Sequence, residues 1–514
     1  MTEARIDGVL WRAAAAPVLL GWLLALAGCS GSSSAPSGTA TEPANPVGPN
    51  LTQLSSDPYT AGPGQHATEV EPHMLASGST LVAAFQTGRI SPGGATNIGW
   101  ATSTDGGTTW THGFLPGLTT GEGSGPYDAA SDPAVAYDAK HGIWMIASLP
   151  LSSSFQTPAV VVSRSNDGLT WQNPVGADPT APSSDKNWIA CDSWVRSPHY
   201  GNCYLQWDDP VNLDEILMST SSDGGLTWGP PTATEDTAAG IGGQPLVQPN
   251  GTVVVPIETS VMSAFISSDG GLTWTSPVSI SNLQFHADAG GIRSGPLPSA
   301  AADAAGTLWV VWEDCRFRSG CATNDLVYST SSDGVNWSPV LRIPIDETSS
   351  AVDHFIPGIG IDPATSGAGA HLGLHYYYYY SQSNCTAFTC QLLVGFISSF
   401  NGGLSWNPPV ALTGAMRLGW LPNSQNGLMV GDYIATAFTN GVPHGVFAVA
   451  SALSGNTYGE AIYTGQGLTV SAAGRQLSSA GDKPLHKLSD KIERERPEKG
   501  VIPPSRRRNR RSVK

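Results

Sequence analysis

Between residues 51 and 474 the apolar positions fall in short runs broken by glycine-rich and polar segments. Residues 70–76, 81–86 and 97–101 form one group of such runs. Residues 132–137, 143–148 and 159–163 form a second, and 244–247, 252–257 and 263–267 a third. Runs of this length, rich in Val, Ile, Thr and aromatic residues and closed by turn-forming residues, predict strands. Sustained helical periodicity is missing outside the two ends of the chain, so the pattern predicts an all-β architecture.

A repeated segment punctuates these runs. Ser-x-Asp-Gly-(Gly)-x-Thr-Trp occurs as STDGGTTW (103–110), SNDGLTW (165–171), SSDGGLTW (221–228 and 267–274) and SSDGVNW (331–337). A sixth copy, SSFNGGLSW (398–406), is degenerate, with Asn401 in the Asp position and Phe400 inserted. Asp-Gly is a tight-turn signal, because Gly accepts positive φ and Asp bonds nearby amides; Ser and Thr bond the same turn, and Trp offers a broad apolar face to a neighbouring sheet. These segments resemble the Asp boxes (BNR repeats) of the sialidase superfamily. The resemblance implies a β-propeller of four-stranded blades with one box on the outer hairpin of each blade. The Asp positions lie 46 to 68 residues apart, so residues 51–474 hold about seven units, with six blades the competing count. The seventh blade, which has no box, is assigned residues 432–438, 444–450 and 461–464. A strand near Leu51 is expected to complete it.

The ends of the chain carry different information. Arg5 and Arg12 precede an apolar run (13–27) that is short for a membrane span and fits a signal-peptide core. Leu26-Ala27-Gly28-Cys29 resembles the lipobox of bacterial lipoproteins, which implies lipidation of Cys29. Residues 1–28 are therefore expected to be a signal peptide and 29–50, poor in large apolar residues, a tether. Residues 475–514 carry 13 basic and 5 acidic residues and read as a disordered tail, while residues 30–474 carry 10 basic and 34 acidic. The tail can meet anionic lipid or wall polymer, or simply be solvated. The acidic body disfavours nucleic acid as a partner. Six cysteines besides Cys29 stand in close pairs: Cys191 and Cys203, Cys315 and Cys321, Cys385 and Cys390. Three local disulfides are inferred from that proximity, in keeping with an exported protein anchored by lipid at the bacterial surface or in the periplasm. A monomer is expected.

Residues just before the innermost strand of each blade would face a shared channel mouth. Here they are Glu71, Asp132, Asp185 with Lys186, Gln244, Arg293, Asp353 with His354, and Asp432, a set that fits a ligand-binding mouth. The sialidase resemblance implies an arginine clamp for a carboxylate and a Tyr nucleophile. On that basis Tyr433, in Gly431-Asp432-Tyr433, matches the nucleophile segment, and Arg89 and Arg417 match clamp positions. The place of the first clamp Arg reads Val70-Glu71-Pro72, and 90–98 lacks the acid/base Asp. These departures argue against sialic-acid hydrolysis and leave glycoside hydrolysis by a pair of carboxylates as another chemistry. No cofactor is required by this reading. The carboxylates could hold Ca²⁺, and a metal is otherwise unspecified. The functions in view are a cell-surface glycan-binding or glycan-hydrolysing propeller and, as the alternative, a non-catalytic scaffold for a protein or envelope polymer.

Overall fold

The computed structural model describes residues 45–121, 125–178, 183–379 and 384–465. Cys29, the signal peptide, almost all of the tether and the basic tail lie outside them. Among the described residues helix is confined to single 3₁₀ turns, and the chain is built from antiparallel sheets of four principal strands, as the all-β expectation required.

Seven such sheets follow one another along the chain. Their first strands are Glu69–Ser77, Ala129–Asp138, Asp185–Cys191, Leu246–Val247, Ser299–Ala302, His354–Ile361 and Ala435–Thr439. Each first strand pairs with the next strand in sequence, and that one with the third. Sheets 1 and 2 are also joined by one ladder pair, Ala95 with Ala130. The fourth strand of sheet 7 is Leu51–Gln53, which pairs with Glu460–Gly465 and so joins the two ends of the described chain. The first strands of consecutive sheets lie side by side, and that of sheet 7 lies beside that of sheet 1.

An innermost strand has one edge without a strand partner, and its backbone groups need other bonds. Side chains from the neighbouring sheet supply several. His73 Nδ1 accepts from the Val135 amide (2.8 Å), the Gln244 side-chain carbonyl from Ala300 (3.0 Å) and Ser299 Oγ from Ile359 (3.0 Å). The Thr436 hydroxyl donates to Gly358 O at 2.5 Å.

The repeated hairpins hold themselves and their neighbours. In the first, Ser103 Oγ accepts from the Gly107 amide (2.8 Å). Asp105 accepts from the amides of Thr108 (3.0 Å) and Thr109 (2.9 Å) and from the Thr109 hydroxyl (2.6 Å). Equivalent bonds surround Asp167, Asp223, Asp269 and Asp333, with the Asn336 side-chain amide in place of the hydroxyl at Asp333. The sixth hairpin corrects the sequence register. Ser399, not Ser398, takes the Gly403 amide (3.0 Å), and Asn401 takes the Ser405 amide (2.8 Å), so Phe400 is the ordinary variable position and nothing is inserted. Asn serves because its side-chain oxygen accepts as an Asp oxygen does.

Each hairpin docks on the preceding sheet. Trp171 of sheet 2 packs 6.4 Å from Trp100 of sheet 1, Trp274 of sheet 4 packs 6.2 Å from Tyr204 of sheet 3, and Trp406 of sheet 6 packs 6.3 Å from Tyr328 of sheet 5. The second hairpin glycine makes the approach possible. At Gly107 (φ +88°) a Cβ would stand 2.7 Å from His444 of sheet 7, and at Gly271 (φ +87°) 2.2 Å from Thr220 of sheet 3. The three expected disulfides are present: Cys191–Cys203, which ties the first two strands of sheet 3, Cys315–Cys321 and Cys385–Cys390.

Four first strands share a β-bulge. Register shifts fall between Val70 and His73, Ser131 and Ala134, Asp185 and Trp188, and Phe355 and Gly358. At each, one residue takes left-handed backbone: Glu71 (φ +53°), Asp132 (+50°), Lys186 (+48°) and Ile356 (+48°). The residue after it is Pro72, Pro133, Asn187 or Pro357. Proline, which cannot donate to a ladder, is tolerated inside these strands because the bulge interrupts the ladder there.

Candidate functional site

Two cavities meet the first strands at opposite ends. The polar one, of about 160 Å³, gathers the bulge residues of sheets 1 to 3 with Gln86, Arg89, Ser131, Asp185, Arg293 and Met429. The larger one, of about 420 Å³, lies where the first strands end and is lined by Met74, Trp188, Trp194, Leu246, Ile359 and Phe438 among others.

The polar cavity is built around Lys186. Its ammonium contacts the carboxylate of Asp432, Asp132 Oδ1 at 3.3 Å and Glu71 Oε1 at 3.8 Å. Arg293 grips Asp432 through two nitrogens, with Nε 2.6 Å from Oδ1 and an Nη on the other oxygen. Ser131 Oγ donates to Asp132 Oδ2 at 2.6 Å, and the Gln86 amide donates to Glu71 and to Ser131. Lys186, Glu71 and Asp132 are 7 % exposed or less, so these ions interact with little solvent between them.

Five chain segments bring the set together. Glu71, Asp132 and Lys186 are turned inward by the bulges. Arg293 sits in the connection between sheets 4 and 5, where its amide bonds Leu428 O at 2.7 Å. Asp432 follows Gly431, whose φ is +138° and where a Cβ would lie 2.8 Å from the Glu71 backbone. No other residue allows Val430-Gly431-Asp432 to run so close to the first bulge.

The electrostatics divide the carboxyls. Burial, reinforced by Asp132, pushes Glu71 up to about 8, so it holds its proton at neutral pH. Asp432 is also desolvated, but Arg293 and Lys186 outweigh that and hold it far below the usual carboxylate range. Asp185 is raised by burial. Lys186 and Arg293 are raised by the carboxylates facing them, against the opposing pull of desolvation.

The residues singled out in the sequence separate here. Glu71, Asp132, Asp185, Arg293 and Asp432 belong to one cluster. Gln244 lies in the other cavity, two residues before the short strand Leu246–Val247, and its side-chain carbonyl accepts from the Ala300 amide of sheet 5. His354 lines neither cavity. The bulge of sheet 6 falls two residues later, so Ile356 takes the place that Glu71 and Asp132 take in sheets 1 and 2, and the His354 ring stacks against Tyr378. Arg89 lines the polar cavity, but its guanidinium is engaged by Ile90 O (2.8 Å), Gly94 O and Met429 Sδ (3.1 Å). Tyr433 is buried beneath the cluster. Its hydroxyl donates to Pro133 O at 3.1 Å, its ring meets Trp188 edge-on at 5.0 Å, and burial raises its pKa well above the ordinary phenol value. Arg417 pairs through its backbone with Gln391 of sheet 6 and lines neither cavity. Gln86, Ser131 and Met429 were not singled out in the sequence. The recurring acid-Pro step, Glu71-Pro72 and Asp132-Pro133, was the available signal for the place they surround.

Among the described residues one group, Asp325, Asp346 and His354, has ligand atoms close enough (within 4.8 Å) for a single metal ion. Arg318 and Arg342 already bridge its two carboxylates at 2.5–2.8 Å, which neutralises the charge a cation would need. What the polar cavity offers chemically is a protonated carboxyl beside a carboxylate, both oriented by one buried lysine.

No family model and no curated protein matches the sequence. Among solved structures, an ulvan lyase of a new polysaccharide lyase family aligns at 11 % identity and a TM-score of 0.45, over 80 % of this chain and 95 % of its own. A Hadza microbial sialidase aligns at 15 % identity and 0.43, over 78 % and 66 %. The NanB sialidase of Streptococcus pneumoniae, as its K499G mutant, aligns at 13 % identity and 0.39, over 80 % and 69 %.

Proposed function

We propose that the protein is an exported, lipid-anchored β-propeller of seven blades, closed by its two ends, that binds and hydrolyses glycans in the polar cavity. Support for the ring comes from the cyclic order of the first strands, the pairing of Leu51–Gln53 with the last strand, and the docking of the sheet 1 hairpin on sheet 7. The three disulfides support export.

In this reading Glu71 is the general acid. It donates its proton to the glycosidic oxygen as the bond to the leaving group breaks. Asp132 either takes a proton from the water that attacks the anomeric carbon, or attacks that carbon itself to form a glycosyl ester that water then cleaves. Lys186 positions both, Gln86 orients Glu71, and Ser131 orients Asp132. Tyr433 and Arg89 are supports, and Arg417 takes no part. The observation that carries the reading is Glu71: a buried carboxyl held protonated to about pH 8, at a cavity wall, next to Asp132. A carboxyl raised by burial in a cavity wall is suited to act as a general acid near neutral pH. The strained backbone of Glu71 and Asp132 agrees, since positive φ at a non-glycine residue costs on the order of 1–3 kcal/mol and persists where the surroundings impose it. The same bulge at Ile356 supports reading the bulge as a feature of the fold and the side chain on it as the source of the chemistry.

A panel of fluorogenic glycosides tests the proposal. Turnover of at least one, lost in Glu71→Gln and in Asp132→Asn, is the expected result. No turnover across the panel, with no change in melting temperature on adding the sugars, favours a scaffold. Turnover that survives Glu71→Gln rejects the assignment.

A further inference from the structure

Three cations line the polar cavity, and each is already bonded to protein oxygen. Arg89 is engaged by the carbonyls of Ile90 and Gly94. Lys186 is shared by Asp432, Asp132 and Glu71. Arg293 is held by both oxygens of Asp432, the two-point geometry in which a guanidinium receives the carboxylate of an acidic sugar. Asp432 is not itself a wall of the cavity. Its side chain, 7 % exposed, is bonded to both Lys186 and Arg293 and takes up the charge they would otherwise present to a ligand.

We infer that Asp432 is the specificity-determining residue of the site: its carboxylate occupies Arg293 and Lys186, reserves the cavity for uncharged sugars and closes it to carboxylated ones. The inference rests on the proposed glycan site only in taking this cavity as the place where a sugar binds. Its physical basis is separate. A ligand carboxylate must displace Asp432 from two buried cations, or else be buried with no cation while Asp132 repels it, and both are costly. A neutral sugar meets a protonated carboxyl as donor and Asp132 as acceptor, and disturbs no ion pair. The same geometry holds a latent anion site, since removing the Asp432 carboxylate leaves two buried cations and a space of carboxylate size between them.

The test compares the wild-type protein with Asp432→Ala by thermal melting and calorimetry. The probes are acetate, glucuronate and methyl glucoside, at constant ionic strength set with chloride. Wild type is expected to show no shift and no heat with acetate or glucuronate at tens of millimolar. Asp432→Ala is expected to melt several degrees lower and to be raised again by acetate and glucuronate, but not by chloride or methyl glucoside. Arg293→Gln added to Asp432→Ala should abolish that recovery. If Asp432→Ala does not fold in ordinary buffer, expression and refolding with acetate decide: folded protein obtained only with acetate supports the inference, and none in either buffer overturns it. Glucuronate binding to wild type as tight as to Asp432→Ala overturns it too, as does a folded Asp432→Ala indifferent to carboxylates. Carboxylate rescue in a protein that turns over no glycoside would reject the hydrolytic reading and leave the charge assignment standing.

Discussion

The two ends of the first strands are made from the same segments and differ in nearly every physical respect. At one end Glu71, Asp132 and Lys186 point into a small cavity, with Arg293 and Asp432 closing the network. At the other end Met74, Trp188, Ile359 and Phe438 line a larger one, and its polar side chains, such as His73, Gln244 and Ser299, are used up in bonding the next sheet. The bulge is the device that separates them. An extra residue in a strand shifts the inward-outward alternation by one, so a strand that presents apolar residues along most of its length can present a charged one at its start. A buried ion network and apolar packing are thereby placed at different ends of one strand, and each should respond to its own substitutions.

The largest contrast is in activity. Glu71→Gln is expected to lower glycoside turnover about 100-fold or more, the loss typical of a general acid, with melting changed by a few degrees at most. Equal loss from Ile359→Val at the apolar end would erase the distinction between the ends. Next is stability. Lys186→Met leaves Asp132 and Asp432 without their shared cation, and urea unfolding should show a loss of about 3–5 kcal/mol, against about 0.5–1.5 kcal/mol for Ile359→Val. A smaller cost for Lys186→Met than for Ile359→Val would mean that the ion network adds little to the fold.

The pH dependence sharpens the same contrast. Glu69 and Glu71 are raised by burial from about 4.5 to about 8, so the folded state binds protons that the unfolded chain has released. Their contribution is fully present below the unfolded value and is lost as pH rises through the folded one, so unfolding free energy should fall between about pH 5 and pH 8. Asp432 works in the opposite sense, with stability present above its unfolded value and lost in stronger acid. Calorimetric melting across this range should show the decline, and Glu69→Gln combined with Glu71→Gln should make it shallower, the remainder coming from other buried acids such as Glu258, which burial raises to about 7. A wild-type profile flat from pH 5 to 8 would contradict the buried-acid account. Turnover should fall above about pH 8 as Glu71 loses its proton.

Two smaller effects complete the comparison. Gly431→Ala places a Cβ against the Glu71 backbone and is expected to cost about 1–3 kcal/mol and to lower turnover together with stability. Ser299→Ala removes the acceptor of the buried Ile359 amide and should cost about 1 kcal/mol without touching turnover. Loss of activity in Ser299→Ala would couple the ends in a way the geometry does not suggest.

The sequence by itself determined the strands, their grouping and the hairpins, because each depends on residues close together in the chain. Alternation at 70–76 or 143–148 and the Ser-Asp-Gly-Trp turns are local physics, and the neighbouring cysteines pair as their spacing suggested. It also marked Glu71, Asp132, Asp185, Arg293 and Asp432 as neighbours, because the repeat put them at equivalent places. Only the tertiary structure decided that Gln244 and His354 stand apart from them, that Ile356 fills the sixth equivalent place, and that Arg293 and Lys186 are committed to Asp432. Those outcomes turn on one-residue bulges and on contacts between segments more than a hundred residues apart, such as Arg293 with Asp432. Nothing in the local pattern fixes which way a side chain faces once a bulge has intervened, or which distant charge it will meet.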